Sequence, residues 1–147
     1  MLYYTQLPEH DIRLVVVLPL AKFNACIECE LQQHKVSNAP PYEDLSYVWG
    51  DPDDRVAVIC NGFRINVTRS LRNAIRRIGD PVKPKTIWVD ALCLNQNSIR
   101  GKNVHVSLMT RVHSQATSAL IYLGGANHEV ATTVVAGLLA IFNSMEE

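Results

Sequence analysis

Residues 86–96 read Thr86-Ile87-Trp88-Val89-Asp90-Ala91-Leu92-Cys93-Leu94-Asn95-Gln96. A short apolar run that stops on an acid, a thiol and two amides is how a buried strand of an α/β sheet ends. Working outward, Thr68 can cap a helix whose apolar positions Leu71, Ala74, Ile75 and Ile78 recur at helical spacing. Downstream, residues 99–116 predict a helix with Val104, Leu108, Val112 and Ala116 on its inner side. Ser118 to Leu123 then reads as an apolar strand stopped by Gly124-Gly125, and a last helix is expected over about 128–143. This alternation predicts an α/β fold with a mainly parallel sheet flanked by helices.

The first half supplies more strands. Ile12 to Leu18 reads as a buried strand, Ile27 to Leu31 as a half-exposed one, and Tyr42 to Trp49 as a third, closed by Gly50-Asp51-Pro52. Within residues 55–67, Asn61-Gly62 separates two β-rich runs, Val56 to Cys60 and Phe63 to Val67. Asn-Gly tolerates the positive φ angles of a type I′ turn, so a β-hairpin is inserted here. With no repeat, no low-complexity tract and no long linker, residues 1–147 read as a single domain.

Hydrophobic residues make up 48% of the chain and charged residues 19%, enough for a core without disulfide support. Fourteen basic and fourteen acidic residues give zero net charge, which excludes a polybasic binder, a polyanionic tail and a disordered chain. The sum conceals a segregation: residues 1–54 carry −6, residues 55–111 carry +9 and residues 112–147 carry −3. Leu14 to Leu18 is short and follows acids, so it is no secretory signal, and Val130 to Phe142 is too short to span a bilayer. The expectation is a cytoplasmic chain with reduced thiols and no membrane span.

Cys26-x-x-Cys29 resembles half a zinc site or a redox pair, but Cys60, Cys93 and His34 are isolated in sequence. Buried thiols are therefore the reading, and no metal site is expected. Arg69, Arg72, Arg76 and Arg77 form a basic helix face, either solvated or a patch for phosphate or an acidic partner. His105 and His113 lie two turns apart on one predicted helix, which reads as surface or satisfied histidines. The glycines lack the spacing of a phosphate-binding loop, and no Gly-x-Ser-x-Gly elbow occurs.

Two segments concentrate polar and aromatic groups at strand ends. Tyr42-Glu43-Asp44-Leu45-Ser46-Tyr47-Val48-Trp49-Gly50 is one, and Ile87 to Gln96 is the other. Alternation puts Glu43, Leu45, Tyr47 and Trp49 on one face and Asp44, Ser46 and Val48 on the other. Glu43 is therefore expected among large inward residues, where desolvation raises a carboxyl pKa. Core aromatics with polar groups that satisfy loop amides explain the same pattern.

Together these segments closely resemble the fungal heterokaryon-incompatibility (HET) domain. Asp11-Ile12-Arg13-Leu14, Cys60-Asn61-Gly62, Val67 to Leu71, Leu108-Met109 and Tyr122-Leu123-Gly124 also look like the family, so the resemblance runs from about residue 11 to 125. It implies an effector module of programmed cell death after non-self recognition, with a distant likeness to TIR domains and their flavodoxin-like sheet. Some TIR domains cleave NAD at the nicotinamide–ribose bond with a pocket glutamate. A carboxylate suits that chemistry because it holds ribose hydroxyls and stabilises oxocarbenium-like charge.

By that analogy Glu43 or Asp90 is the catalytic acid. Trp49 and Trp88 stack on a ring, Asn95 and Gln96 bond the ribose or amide, and Tyr42, Ser46, Tyr47, Gly50 and Cys93 complete the ligand site. The chain departs from the family where a Glu-Arg pair and then Gln-Val usually stand, holding Gly101-Lys102 and His105-Val106 instead. If the missing glutamate is the catalytic one, this copy is inactive. Gly101 also weakens a helix start by about 1 kcal/mol relative to alanine.

Three functional readings follow. The first is an incompatibility-type effector that self-associates or binds protein partners and requires no cofactor. The second is an enzyme that takes NAD or a related nucleotide as substrate. The third, a nucleic-acid-binding module using the basic middle, is placed behind both. If the ligand-site reading holds, Glu43, Trp49, Asp90 and Asn95 converge on one cleft.

Overall fold

A computed structural model describes residues 7–8, 10–20, 25–94, 109–124 and 130–133. Asp11–Val17 (β1) is buried on both faces, with Leu14 and Val15 fully enclosed, as a central strand requires. Glu28–Lys35 (β2) returns antiparallel to it, with Asp11 opposite Lys35 and Val17 opposite Cys29. A 3₁₀ turn at Val36–Asn38 leads to Glu43–Tyr47 (β3). Arg55–Cys60 (β4) and Phe63–Thr68 (β5) form the expected hairpin, with Cys60 opposite Phe63. Its turn residues Asn61 and Gly62 have φ of 52° and 79°, the left-handed values that select Asn-Gly.

Arg69–Ile78 (α1) begins at Thr68, whose hydroxyl accepts the Leu71 N–H at 3.2 Å, and ends where the Gly79 N–H bonds the Ile75 carbonyl. Leu71, Ala74, Ile75 and Ile78 are its buried face. Lys85–Trp88 (β6), the single turn Asp90–Cys93 (α2), helical residues 109–115 and Ser118–Tyr122 (β7) follow.

The sheet has eight strands in the order β5-β4-β2-β1-β6-β3-β7-β8, where β8 is Val130–Thr133. The α/β class holds, but the mainly parallel sheet does not. Four strand pairs are antiparallel (β1 with β2, β1 with β6, β4 with β5, β7 with β8) and three are parallel (β2 with β4, β3 with β6, β3 with β7). The physical reason is the connections. Parallel neighbours need a long crossover, which α1 and helical residues 109–115 provide before β6 and β7. A link of residues 18–27 joins β1 to β2, and the Asn-Gly turn joins β4 to β5, so these strands reverse instead.

The helix expected over about 128–143 is corrected in its first part. Val130–Thr133 pairs antiparallel with β7, Tyr122 opposite Val130. Val130, Thr132 and Thr133 are β-branched, which favours a strand. The rest of that expected helix lies outside the described residues, as do Val104 and Leu108 of the helix expected before β7.

Candidate functional site

In the sheet order, β6, β3 and β7 are consecutive and parallel, so their carboxyl ends open on one edge. A cleft of about 190 Å³ lies there, walled by Asp44, Tyr47, Trp49, Trp88, Asp90 and His113, with Ser46 also on its lining. Asp44 is opposite Trp88 in the β3–β6 register, so the two share a face of the sheet. Helical residues 109–115 cover that face and bring His113 onto both. The His113 Nδ1 hydrogen-bonds an Asp44 carboxylate oxygen, and its ring stands edge-on to Trp88 at a centroid distance of 5.5 Å.

Asp44 is 6% exposed, and its other oxygen, Oδ1, is buried with no hydrogen-bond partner among the described residues. A buried carboxylate oxygen left unpaired is costly, which marks it as a place where a donor belongs. The bond to Asp44 raises the His113 pKa above the ordinary histidine value, against the opposing effect of burial. Asp90, in the first turn of α2, is also raised, chiefly by desolvation and further by the charge of Asp44. One edge thus holds an anionic acceptor, a histidine biased towards its cation and an acid biased towards its neutral form.

Trp49 is 59% exposed and stacks on Tyr47, with centroids 6.3 Å apart and planes within 8°. Its position is set by the chain around it. The Val48 N–H continues the β3–β7 ladder to the Tyr122 carbonyl, and the Ser70 hydroxyl of α1 donates to the Val48 carbonyl. Gly50, at φ +65°, then turns the chain away beside Ser70. On the far side of the Tyr47–Trp49 stack, a second groove of about 460 Å³ runs along the hairpin past Arg55, Ile65 and Leu71.

Residues 42–141 match the family described as Heterokaryon incompatibility protein (HET). The chain belongs to this family. Among curated proteins it is 30% identical, over 132 residues, to "Heterokaryon incompatibility protein 6, OR allele" of Neurospora crassa. That alignment takes in 81% of this chain but 19% of the relative, so the chain spans about a fifth of the relative's length. No solved structure matches it. The HET match opens at Tyr42 and so includes β3 and the whole described cleft.

The structure distributes the sequence-predicted site residues of this HET chain unevenly. It brings Ser46, Tyr47, Trp49, Trp88 and Asp90 together on the cleft. Glu43 does not line it. Half-buried on the opposite face of β3, Glu43 pairs with Lys85 at 3.2 Å and accepts the Ser118 hydroxyl at 2.7 Å. Glu43 and Asp90 therefore do not converge, and the buried carboxylate of the strand is Asp44. Alternation alone states which residues share a face, and the helix packed on that face decides which acid is enclosed.

Tyr42 is a core strut: 3% exposed, it donates its hydroxyl to the Val112 carbonyl, and burial raises its pKa. Cys93 is buried, accepts the Val89 N–H at 3.5 Å, and is pushed up to about 12 by desolvation. Gly50 acts through the turn. Asn95, Gln96 and Gly101 lie outside the described residues.

On α1, Arg69 is tied to Asp54 at 2.9 Å, and Arg76 donates to the Ala25 carbonyl at 3.3 Å. Arg72 donates to Asn73, and its pKa is lowered by partial burial and by the neighbouring charges of Arg76 and Arg69. Arg77 is exposed. Both Lys/Arg ion pairs among the described residues join the acidic first segment to the basic middle, so part of the charge segregation along the chain is neutralised in space.

Sequence reasoning missed Asp44 and His113 as a pair. The available signal was an acid beside Glu43 on the other strand face and a histidine one residue after the buried Val112. Neither spacing announces a contact. Among the described residues no cluster of three metal-ligating side chains occurs, and no helix is long and apolar enough to cross a membrane.

Proposed function

We propose that this chain is a heterokaryon-incompatibility-type effector domain of fungal non-self recognition and cell-death signalling, and that its working surface is the cleft at the carboxyl ends of β3 and β6. The observation that carries this reading is the exposed Trp49 on a cleft that it lines together with the Asp44–His113 pair. An exposed aromatic at the rim of a cleft lined by polar groups suits a partner that supplies a flat surface. The output is self-association or capture of a protein partner. Support for the incompatibility role comes from the HET match and from the name of the Neurospora relative.

Expression in a fungal host tests it. The chain should arrest growth, and the purified protein should self-associate or retain a host protein. Asp44→Asn and Trp49→Ala should each reduce arrest at least tenfold while leaving the protein folded. Arrest unchanged in both folded variants would overturn the assignment of the cleft.

A second reading is a nucleotide hydrolase acting on NAD, favoured by the combination of Asp44, Asp90 and His113 on one lining. A carboxylate that accepts ribose hydroxyls and an acid–base pair beside it are the groups that glycosidic cleavage uses. Nicotinamide release by the purified chain, lost in Asp44→Asn and Asp90→Asn, is the expected result of that reading. No release under self-associated conditions would rule it out.

A further inference from the structure

The hairpin β4–β5 hangs on the rest of the sheet by a short seam. β4 pairs with β2 in parallel through two registered pairs, Glu28 with Ile59 and Cys29 with Cys60. Backbone bonds from Ile59 to Ile27 (2.9 Å) and from Asn61 to Cys29 (3.0 Å) close it, helped by the Asn61 side chain on the Leu31 N–H. The seam thus has two cysteines directly opposite each other. They are 2% and 0% exposed, both thiols are free, and the Cys29 thiol donates to the Ile59 carbonyl at 3.4 Å.

Registered residues on neighbouring strands project to the same face of a sheet. Their backbones lie about 4.8 Å apart, inside the roughly 4.4–6.8 Å Cα separation that a disulfide spans. We infer that Cys29 and Cys60 are a modification site: a dithiol that hydrogen peroxide converts to a disulfide, clamping the hairpin to β2. The inference is independent of the proposed function of the cleft.

The register and the shortness of the seam favour this pair. Both thiols lie in the core at the two-pair seam, so a small oxidant reaches them when that seam opens locally. One sulfur attacks a peroxide oxygen, the O–O bond breaks, and water leaves a sulfenic acid behind. The second sulfur displaces the sulfenic hydroxyl as water, and the S–S bond closes. Two thiols lose two protons and two electrons, and one peroxide becomes two waters.

Elsewhere the thiols are placed differently. Cys26 is exposed, and Cys93 is buried against the Val89 N–H. The hairpin carries Arg55 and Ile65, which wall the groove beside Trp49, so the clamp fixes that wall as well.

The test treats the reduced full chain with hydrogen peroxide, unfolds it, alkylates the remaining thiols and maps the peptides. The expected product is a monomer lighter by about 2 Da, with Cys29 joined to Cys60 and Tm raised by about 5 °C. Cys26→Ser should retain the bridge and Cys60→Ser should lose it. A bridge between Cys26 and Cys29 overturns the inference. So does alkylation of both Cys29 and Cys60 after treatment that has already oxidised Cys26. If Cys60→Ser fails to fold, the wild-type peptide map still decides between these outcomes.

Discussion

His113 and Asp44 are hydrogen-bonded across 69 positions of sequence, with the histidine ring edge-on to Trp88. This contact joins the helical residues 109–115 to β3 and β6 at the point where the cleft opens. It couples the stability of the fold to the protonation of the site.

His113 and Asp90 both bind protons more tightly in the folded chain, His113 through Asp44 and Asp90 through desolvation. The contribution of His113 is complete below its unfolded pKa and is lost as pH climbs through the raised folded value. Asp90 acts in the same direction at lower pH: stability falls as pH rises from its unfolded pKa towards its raised one. Urea midpoints measured from about pH 4 to about pH 9 should therefore decline from this pair, and His113→Gln should flatten the upper part of the decline. An unchanged slope in His113→Gln would refute the coupling.

Asp44→Asn removes the charge that holds the His113 proton. The expected cost is about 1–3 kcal/mol, because a charge-assisted bond becomes a neutral one in a buried place. The imidazole titration of His113, followed by NMR, should move to lower pH. Glu43→Gln, on the other face of β3, should leave that titration in place and weaken only the half-exposed pair with Lys85, at about 1 kcal/mol or less.

Gly50→Ala places a β-carbon on a backbone at φ +65°, about 3.4 Å from Ser70. A left-handed residue with a side chain costs roughly 1–2 kcal/mol. The strain falls on the loop that presents Trp49, so tryptophan emission should shift and quencher access should change, while the buried Trp88 contributes a constant background. Emission and stability equal to wild type would show that the turn does not fix Trp49.

Thr68→Ala deletes the side-chain acceptor at the start of α1 and should cost about 1 kcal/mol in chemical denaturation, with Thr68→Ser close to wild type. Because α1 also carries Ser70, which holds the Val48 carbonyl, the alanine variant should loosen Trp49 as well.

What the amino-acid sequence determined by itself is what short-range chemistry decides. The Asn61-Gly62 turn, the Thr68 cap, the Leu71–Ile78 stripe and most strand cores follow from φ preferences, capping and periodicity within a few residues. The aromatic and acidic strand ends were also readable as the place to look. Only the tertiary structure decided the sheet order, with β1 antiparallel to both its neighbours and Val130–Thr133 recruited as a strand.

The same holds for the site. Strand alternation separates Glu43 from Asp44 but is symmetric between the two faces of a sheet. The packing of helical residues 109–115 broke that symmetry, burying Asp44 under His113 and leaving Glu43 to Lys85. Partners 69 residues apart leave no local trace, because what joins them is the closure of the fold around them rather than any spacing along the chain.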